Sequence, residues 1–486
     1  MKNMNMLKNN ENKFSNNHVG DFEISSIEKS QFHYSFYPKP SLNSHKKQVD
    51  IFEKLEKEFT FLDAKSLKNE VHFQNAFKTP IQRWYPYREG YSQKLVNTFI
   101  NRLDVKGLVF DPFSGSGTTM LSARNNNLKS YGIDVNPISV LVSRSENEIY
   151  IKSDIIEIEK TITNIKHINK SKLIYTTPFN LAEKTFNNEI LQSLLQLKEN
   201  LANIENEKIR NLAFVSWLSI IESVSNFKKE GNGIKYKNRK RTTNGYINIP
   251  KEIWEKQVFP LDKFNFVKDK LLEKLQMMLY DIKNNYGSID EKPIIIENNC
   301  LLFDNLFDED IEFTFFSPPY CNSFDYFEIH KVELWLGDFI NSKAQMRILK
   351  NKGFRSNMNS LNNKYINYKN DDLETLIHLF DPNKLWSKRI PDVVRGYFDD
   401  FNTLLKKLFK QTADSGHVGI VVGNSAYSSV IIPTDVIVAN IAKEVGFVVE
   451  NIYITRHLTT SSQQKKDLDP LKNYLRESII LLKKRK

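Results

Sequence analysis

Ser317-Pro318-Pro319-Tyr320 is a run of four residues whose atoms can do chemistry on a nitrogen. Consecutive prolines fix φ and remove two N–H donors, so the carbonyls there are stiff and outward-directed. An amine conjugated with an aromatic ring is a poor nucleophile, because its lone pair is delocalised. The Ser317 hydroxyl and the Pro318 carbonyl are acceptors that can draw such a nitrogen toward sp³ geometry and stabilise its developing positive charge. The Tyr320 ring is a flat surface on which a base can stack. A Pro-Pro-terminated edge strand without chemistry is the alternative reading of the same residues.

A second constellation lies far upstream, at Asp111-Pro112-Phe113-Ser114-Gly115-Ser116-Gly117-Thr118-Thr119. It follows a short apolar strand and opens a helix. Gly115 and Gly117 let a ligand approach the backbone closely, and the helix N-terminus offers free N–H groups. Asp134, at the end of the next strand, can accept hydrogen bonds from two ribose hydroxyls. Met120 stands where a dinucleotide-binding turn prefers a third glycine, and no lysine follows Gly117 as a P-loop requires. A ligand-free strand-to-helix turn remains the structural alternative.

Together these residues resemble the amino-group (N4-cytosine / N6-adenine) site-specific DNA methyltransferase family. The 111–119 run looks like that family's S-adenosylmethionine-binding motif, and Gly132-Ile133-Asp134 with Asn136-Pro137 resembles its second motif. The resemblance implies that the Ser114–Gly117 backbone, with Phe113 and Thr118, lies along the cofactor S-adenosyl-L-methionine. Asp111 would then reach its amino group and Asp134 its ribose. The aromatic turn Trp84-Tyr85-Pro86-Tyr87-Arg88 is similar to a segment that packs along the methionine end, with Tyr87 as the contact. Asn299 stands where the family usually has an acid toward the adenine; its side-chain oxygen can still accept that bond. Ser317, Pro318, Pro319 and Tyr320 match the catalytic motif. They would act on a base flipped out of the duplex, at a cost of a few kcal/mol when it is paired. Serine at the first position leans toward cytosine N4, although the same tetrapeptide serves some adenine enzymes. Asp325, Tyr326 and His330 are candidates for the base pocket. C5 methylation is disfavoured, because Cys300 follows Asn299 and Cys321 follows Tyr320, and neither sits in a Pro-Cys pair.

Lys and Arg total 69 against 58 Asp and Glu, a net charge of +11. That excess suits a polyanionic partner, and so does a Lys-rich composition with no partner at all. The basic loop at 226–241 is the candidate DNA contact: Lys228, Lys229, Lys235, Lys237, Arg239, Lys240 and Arg241 toward phosphates, Asn232 or Asn238 toward bases. Arg456 heads a polar loop, 456–464, suited to phosphate contact. A solvated surface loop is the plain alternative for both.

The elements that must position these groups alternate between strand and helix, which implies a mostly parallel sheet. Two strand-rich stretches flank a long helical region, so the expected fold is α/β: a Rossmann-like S-adenosylmethionine-dependent methyltransferase sheet with a large, mainly helical insertion. The expected division is an N-terminal extension (1–78), a first core part (79–150) and a helical insertion (151–290) as candidate target-recognition region. A second core part (291–344), a polar insertion (345–400) and a C-terminal core part (401–486) follow. A single amphipathic helix is expected over 49–68.

A 40% share of hydrophobic residues is ample for a core. No run of 18 uncharged apolar residues suggests a membrane span, and the polar N-terminus lacks a signal core. Two cysteines build neither a disulfide framework nor a four-ligand zinc site. A cytoplasmic enzyme without metal is expected, acting on double-stranded DNA as the modification half of a restriction-modification system. Its endonuclease would be encoded separately, since no Asp…Glu-x-Lys cluster occupies a strand context. Alternatives are N6-adenine methylation of DNA, methylation of RNA or of a protein amide, and a non-catalytic DNA-binding role.

Overall fold

The computed structural model describes residues 43–231, 233–243, 245–285, 291–304, 306–361, 365–459 and 464–485. The readings of residues 1–42, of Asn232 and of 460–463 lie outside these.

Eight strands form the central sheet: β1 (Phe61–Asp63), β2 (Leu108–Asp111), β3 (Ser130–Asp134), β4 (Ile294–Glu297), β5 (Ile311–Phe316), β6 (Thr412–Gly423), β7 (Val448–His457) and β8 (Arg476–Lys483). Their spatial order is β1-β7-β8-β6-β5-β2-β3-β4. Among the described strands of this sheet, only β8 runs against its neighbours, between β6 and β7. Alternation along β2 shows why both faces are covered: Leu108 and Phe110 enter one apolar cluster, Val109 the other. All four β2 residues are buried, as a strand with helices on both faces requires.

The sheet brings the two constellations together. β2 and β5 are far apart in sequence yet pair in parallel, with Val109 opposite Phe313 and Phe110 opposite Thr314. From β2 the chain winds toward β3 and β4, and from β5 it winds the other way toward β6. The β2/β5 boundary is therefore a topological switch point, where open α/β sheets bind ligands beyond the strands' carboxyl ends. The 112–117 turn and the 317–320 tetrapeptide leave these two ends.

The intervening region is mainly helical, with helices Lys152–Lys166, Asn188–Ala202, Glu207–Ile220, Lys251–Val258 and Lys263–Asn284. Their apolar faces share one cluster with Trp84, Tyr85, Leu334 and Leu336, so the insertion is packed onto the segments flanking both constellations. Asp281, fully buried, accepts from Ile81 N (3.0 Å) and Trp84 Nε1 (3.0 Å) and pairs with Arg83. Two small hairpins interrupt the helices. Phe227–Lys229 pairs with Ile234–Tyr236, and Arg239–Thr242 pairs with Gly245–Asn248.

Two expectations change. The helix expected over 49–68 ends at Glu56. Phe61 and Leu62 instead pair with Ile452 and Tyr453 at the sheet edge, because their apolar side chains gain burial there. Leu62, seven residues after Leu55, keeps helix-like spacing, and that hid the switch. The stretch 345–400 holds helical segments, with Lys343–Asn351, Asp371–His378 and the start of Ile390–Gln411. The last helix buries Val393, Val394, Tyr397, Phe401, Leu404 and Leu408, and so runs across the division expected at 400.

Candidate active site

A cavity of about 370 Å³ opens at the switch point, lined by both constellations. From the first come Pro112 to Ser116, Thr118 and Asp134; from the second come Ser317, Pro318, Pro319 and Tyr320.

Local conformation explains the turn. Gly115 has φ +51°, and a Cβ there would lie 2.9 Å from the Tyr87 ring. Any other residue would be strained and would displace the ring. Gly117 has φ +91°, and a Cβ would strike Ser143 and Asn147. Its role is therefore to let the turn pack on helix Pro137–Glu146, and it does not line the cavity. Asp134 accepts from Gly115 N (2.9 Å) and Asn136 N (2.8 Å). Burial pushes its carboxyl up to about 6, against the pull of these N–H groups. Ser114 Oγ is buried and has no hydrogen-bond partner among the described residues.

Asp111 is placed differently. Its carboxylate accepts from Phe113 N (2.9 Å) and Tyr91 Oη (3.1 Å), it is 1% exposed, and it is not among the lining residues. Burial pushes it up to about 7, opposed by those hydrogen bonds. Asn299 is also withdrawn, because its Oδ1 accepts from Leu301 N (2.8 Å) in a local turn. Neither residue is brought to the cavity.

In the tetrapeptide, Ser317 Oγ donates to the Val421 carbonyl (3.1 Å). A hydroxyl that gives its proton to the sheet keeps its lone pairs free to accept. Tyr320 Oη donates to Glu477 (2.7 Å), and Glu477 takes both Arg456 nitrogens, Nε at 2.6 Å and Nη2 at 3.1 Å. Gly423 leaves room for the Tyr320 ring, since a Cβ would sit 2.7 Å from it. Arg456 thus lines the cavity and is tied to the carboxylate that holds Tyr320.

The opposite wall is polar and buried. His330 stacks on Tyr87 (centroids 5.9 Å, 12° apart). Its Nδ1 lies 3.1 Å from Lys229 Nζ and 3.2 Å from Tyr85 Oη. Lys229 Nζ also pairs with Glu333 at 2.6 Å, both side chains being 2% exposed. Glu89 faces the cavity with His330 Nε2 3.8 Å away. Burial works to raise the Glu89 carboxyl, but His330 and Lys229 hold it below its ordinary value. Sequence reasoning missed Glu89, Glu333 and Glu477, because lone glutamates carry no motif. Asp325 caps helix Tyr326–Ile329 and pairs with Lys350 (2.8 Å), away from the lining; Tyr326 does line it.

The seven basic residues of 228–241 fall into three groups. Lys228 and Lys235 both pair with Glu230. Lys229 and Lys237 turn inward, Lys237 donating to the Glu222 (2.6 Å) and Ser225 (2.9 Å) carbonyls. Arg239, Lys240 and Arg241 are exposed. Asn238 is held by Asn226 and by Ile249 O.

Residues 6–145 match the family model for DNA methylases of the N6/N4 type. Over 92% of both chains, the protein is 28% identical to the type II methyltransferase M.BsoBI of Geobacillus stearothermophilus. It is 25% identical to M.AvaI of a Nostoc species, over 79% of this chain and 82% of that one. With M.MvaI of Kocuria varians it shares 24% over 74% and 81%. The chain is thus similar over most of its length to type II DNA methyltransferases, and its N-terminal part matches the amino-group DNA methylase family. Type II DNA methyltransferases of this family use S-adenosyl-L-methionine. Among the described residues no helix is long and apolar enough to cross a membrane.

Proposed function

We propose that this methyltransferase transfers a methyl group to the N4 amine of a flipped cytosine at a specific sequence in double-stranded DNA. We propose further that it is the modification partner of a separately encoded restriction endonuclease. The observation that carries the cytosine reading is Ser317. A neutral hydroxyl at the first position of the tetrapeptide gives its proton to Val421 O and offers lone pairs to an amine N–H. The Pro318 carbonyl is the second acceptor, and the Tyr320 ring, fixed by Glu477 and Arg456, is the surface against which the base lies.

The donor set suits the cofactor. The orphaned Ser114 hydroxyl and the close backbone at Gly115 can meet its methionine end beside Tyr87. Asp134 can accept from ribose hydroxyls, while Phe113 and Thr118 flank the same space. Glu89, the ionised acid on the cavity wall, takes the place facing a cationic amino group that Asp111 was expected to fill. When bound, S-adenosyl-L-methionine supplies an electrophilic methyl group on a sulfonium. The protein's part is to hold the amine in line, accept from its N–H groups and keep water out.

The test is methylation of bacterial genomic DNA by purified protein, followed by digestion to nucleosides and mass spectrometry. N4-methylcytosine is expected; N6-methyladenine would overturn the cytosine assignment while leaving the amine mechanism intact.

A further inference from the structure

One side of an exposed hairpin carries polar groups with no work inside the protein. Arg239–Thr242 and Gly245–Asn248 pair antiparallel, with Arg239 opposite Asn248, Lys240 opposite Ile247 and Arg241 opposite Tyr246. Directly opposed residues point to the same side of a ribbon. Arg239, Arg241, Tyr246 and Asn248 therefore share one side, and Lys240 and Ile247 the other. Every residue of both strands is exposed, Tyr246 by 50% and Ile247 by 57%. Among the described residues, Arg239, Lys240 and Arg241 enter no ion pair, and the Asn248 amide has no side-chain hydrogen bond. Arg239 instead lies over the Tyr246 ring, 4.2 Å from its centre, which limits its rotamers.

A bare two-stranded hairpin is marginal in water, so this one depends on its base. Asn238 and Ile249 close it with hydrogen bonds of 2.9 and 2.7 Å, and the adjoining Lys237 is anchored to the Glu222 and Ser225 carbonyls in the turn after a helix. Just before it, in the preceding hairpin, Lys229 is buried against Glu333 and against His330, which lines the cavity. The outer ribbon is thus tied through a few residues to the wall of the cavity.

We infer that the 239–248 hairpin enters the major groove of the substrate duplex, with Arg239, Arg241 and Asn248 facing base edges and Lys240 facing a phosphate. The major groove admits a two-stranded ribbon, arginine matches guanine O6 and N7, and asparagine matches adenine N6 and N7. Three unpaired cations with no carboxylate on the ribbon complement the phosphate backbone. This assignment rests on duplex DNA being the substrate.

The test uses the full chain on unmethylated bacterial genomic DNA, with modified positions mapped by single-molecule sequencing. The wild type defines a consensus. Arg239→Ala, Arg241→Ala and Asn248→Ala are expected to become tolerant at one or two consensus positions, with discrimination there falling roughly 5- to 150-fold. Lys240→Ala should keep the consensus, while the slope of log affinity against log salt becomes shallower by about 1 on a duplex carrying it. Unchanged consensus and selectivity in all three alanine variants would overturn the inference, as would a uniform loss of methylation without any change of consensus. A wild type that methylates no DNA would strike at the substrate itself, and is told apart by that control.

Discussion

Two hairpins lie in tandem in the insertion, and similar residues meet opposite fates in them. In the first, Lys229 is buried against Glu333, behind the cavity-lining His330. In the second, Arg239, Lys240 and Arg241 stand in solvent and, among the described residues, have no acidic partner. A run of basic residues is therefore not one surface. Where apolar neighbours such as Phe227 fix the backbone inside, a cation must find a carboxylate or raise the cost of folding. Where nothing covers the strand, cations remain free to meet an outside anion.

The sharpest way to break this contrast is Lys229→Met. It leaves Glu333 buried without its partner, so urea unfolding should show a loss of about 3–5 kcal/mol. A stability within about 0.5 kcal/mol of wild type would put Lys229 in the same class as the outer cations. Ser317→Ala probes the cavity without touching either hairpin. Single-turnover methylation is expected to slow about 10²–10³-fold, with calorimetric affinity for S-adenosyl-L-methionine unchanged.

In the cavity, acid should act through Asp134. Asp134 titrates near 6 in the fold, and hydroxyl donors favour its ionised form. Cofactor affinity should hold above pH 6 and weaken as pH falls through it, by about tenfold at pH 5. A flat calorimetric profile from pH 8 to 5 would remove Asp134 from the ribose site. The smallest effect is expected at the outer hairpin: Lys240→Ala should change stability by no more than about 0.5 kcal/mol. A larger shift in the unfolding midpoint would show that the ribbon packs on the protein.

The cavity lining was legible wherever it is carried by consecutive residues. The glycine turn, Asp134 and Ser317-Pro318-Pro319-Tyr320 are local, because backbone constraints and adjacent acceptors leave a mark in the chain itself. The alternating strands were legible for the same reason. Pairing across the chain was not. The sequence by itself determined the methyltransferase-like sheet and the cofactor class, and it supplied the tetrapeptide on which the amine proposal rests. Only the tertiary structure decided that Asp111 is turned into the core while Glu89 faces the cavity, and that Glu477 holds both Tyr320 and Arg456. It also decided which lysines of one basic run are buried. Those outcomes depend on burial and on partners distant in the chain, and neither leaves a periodic signal for a reader of residues alone.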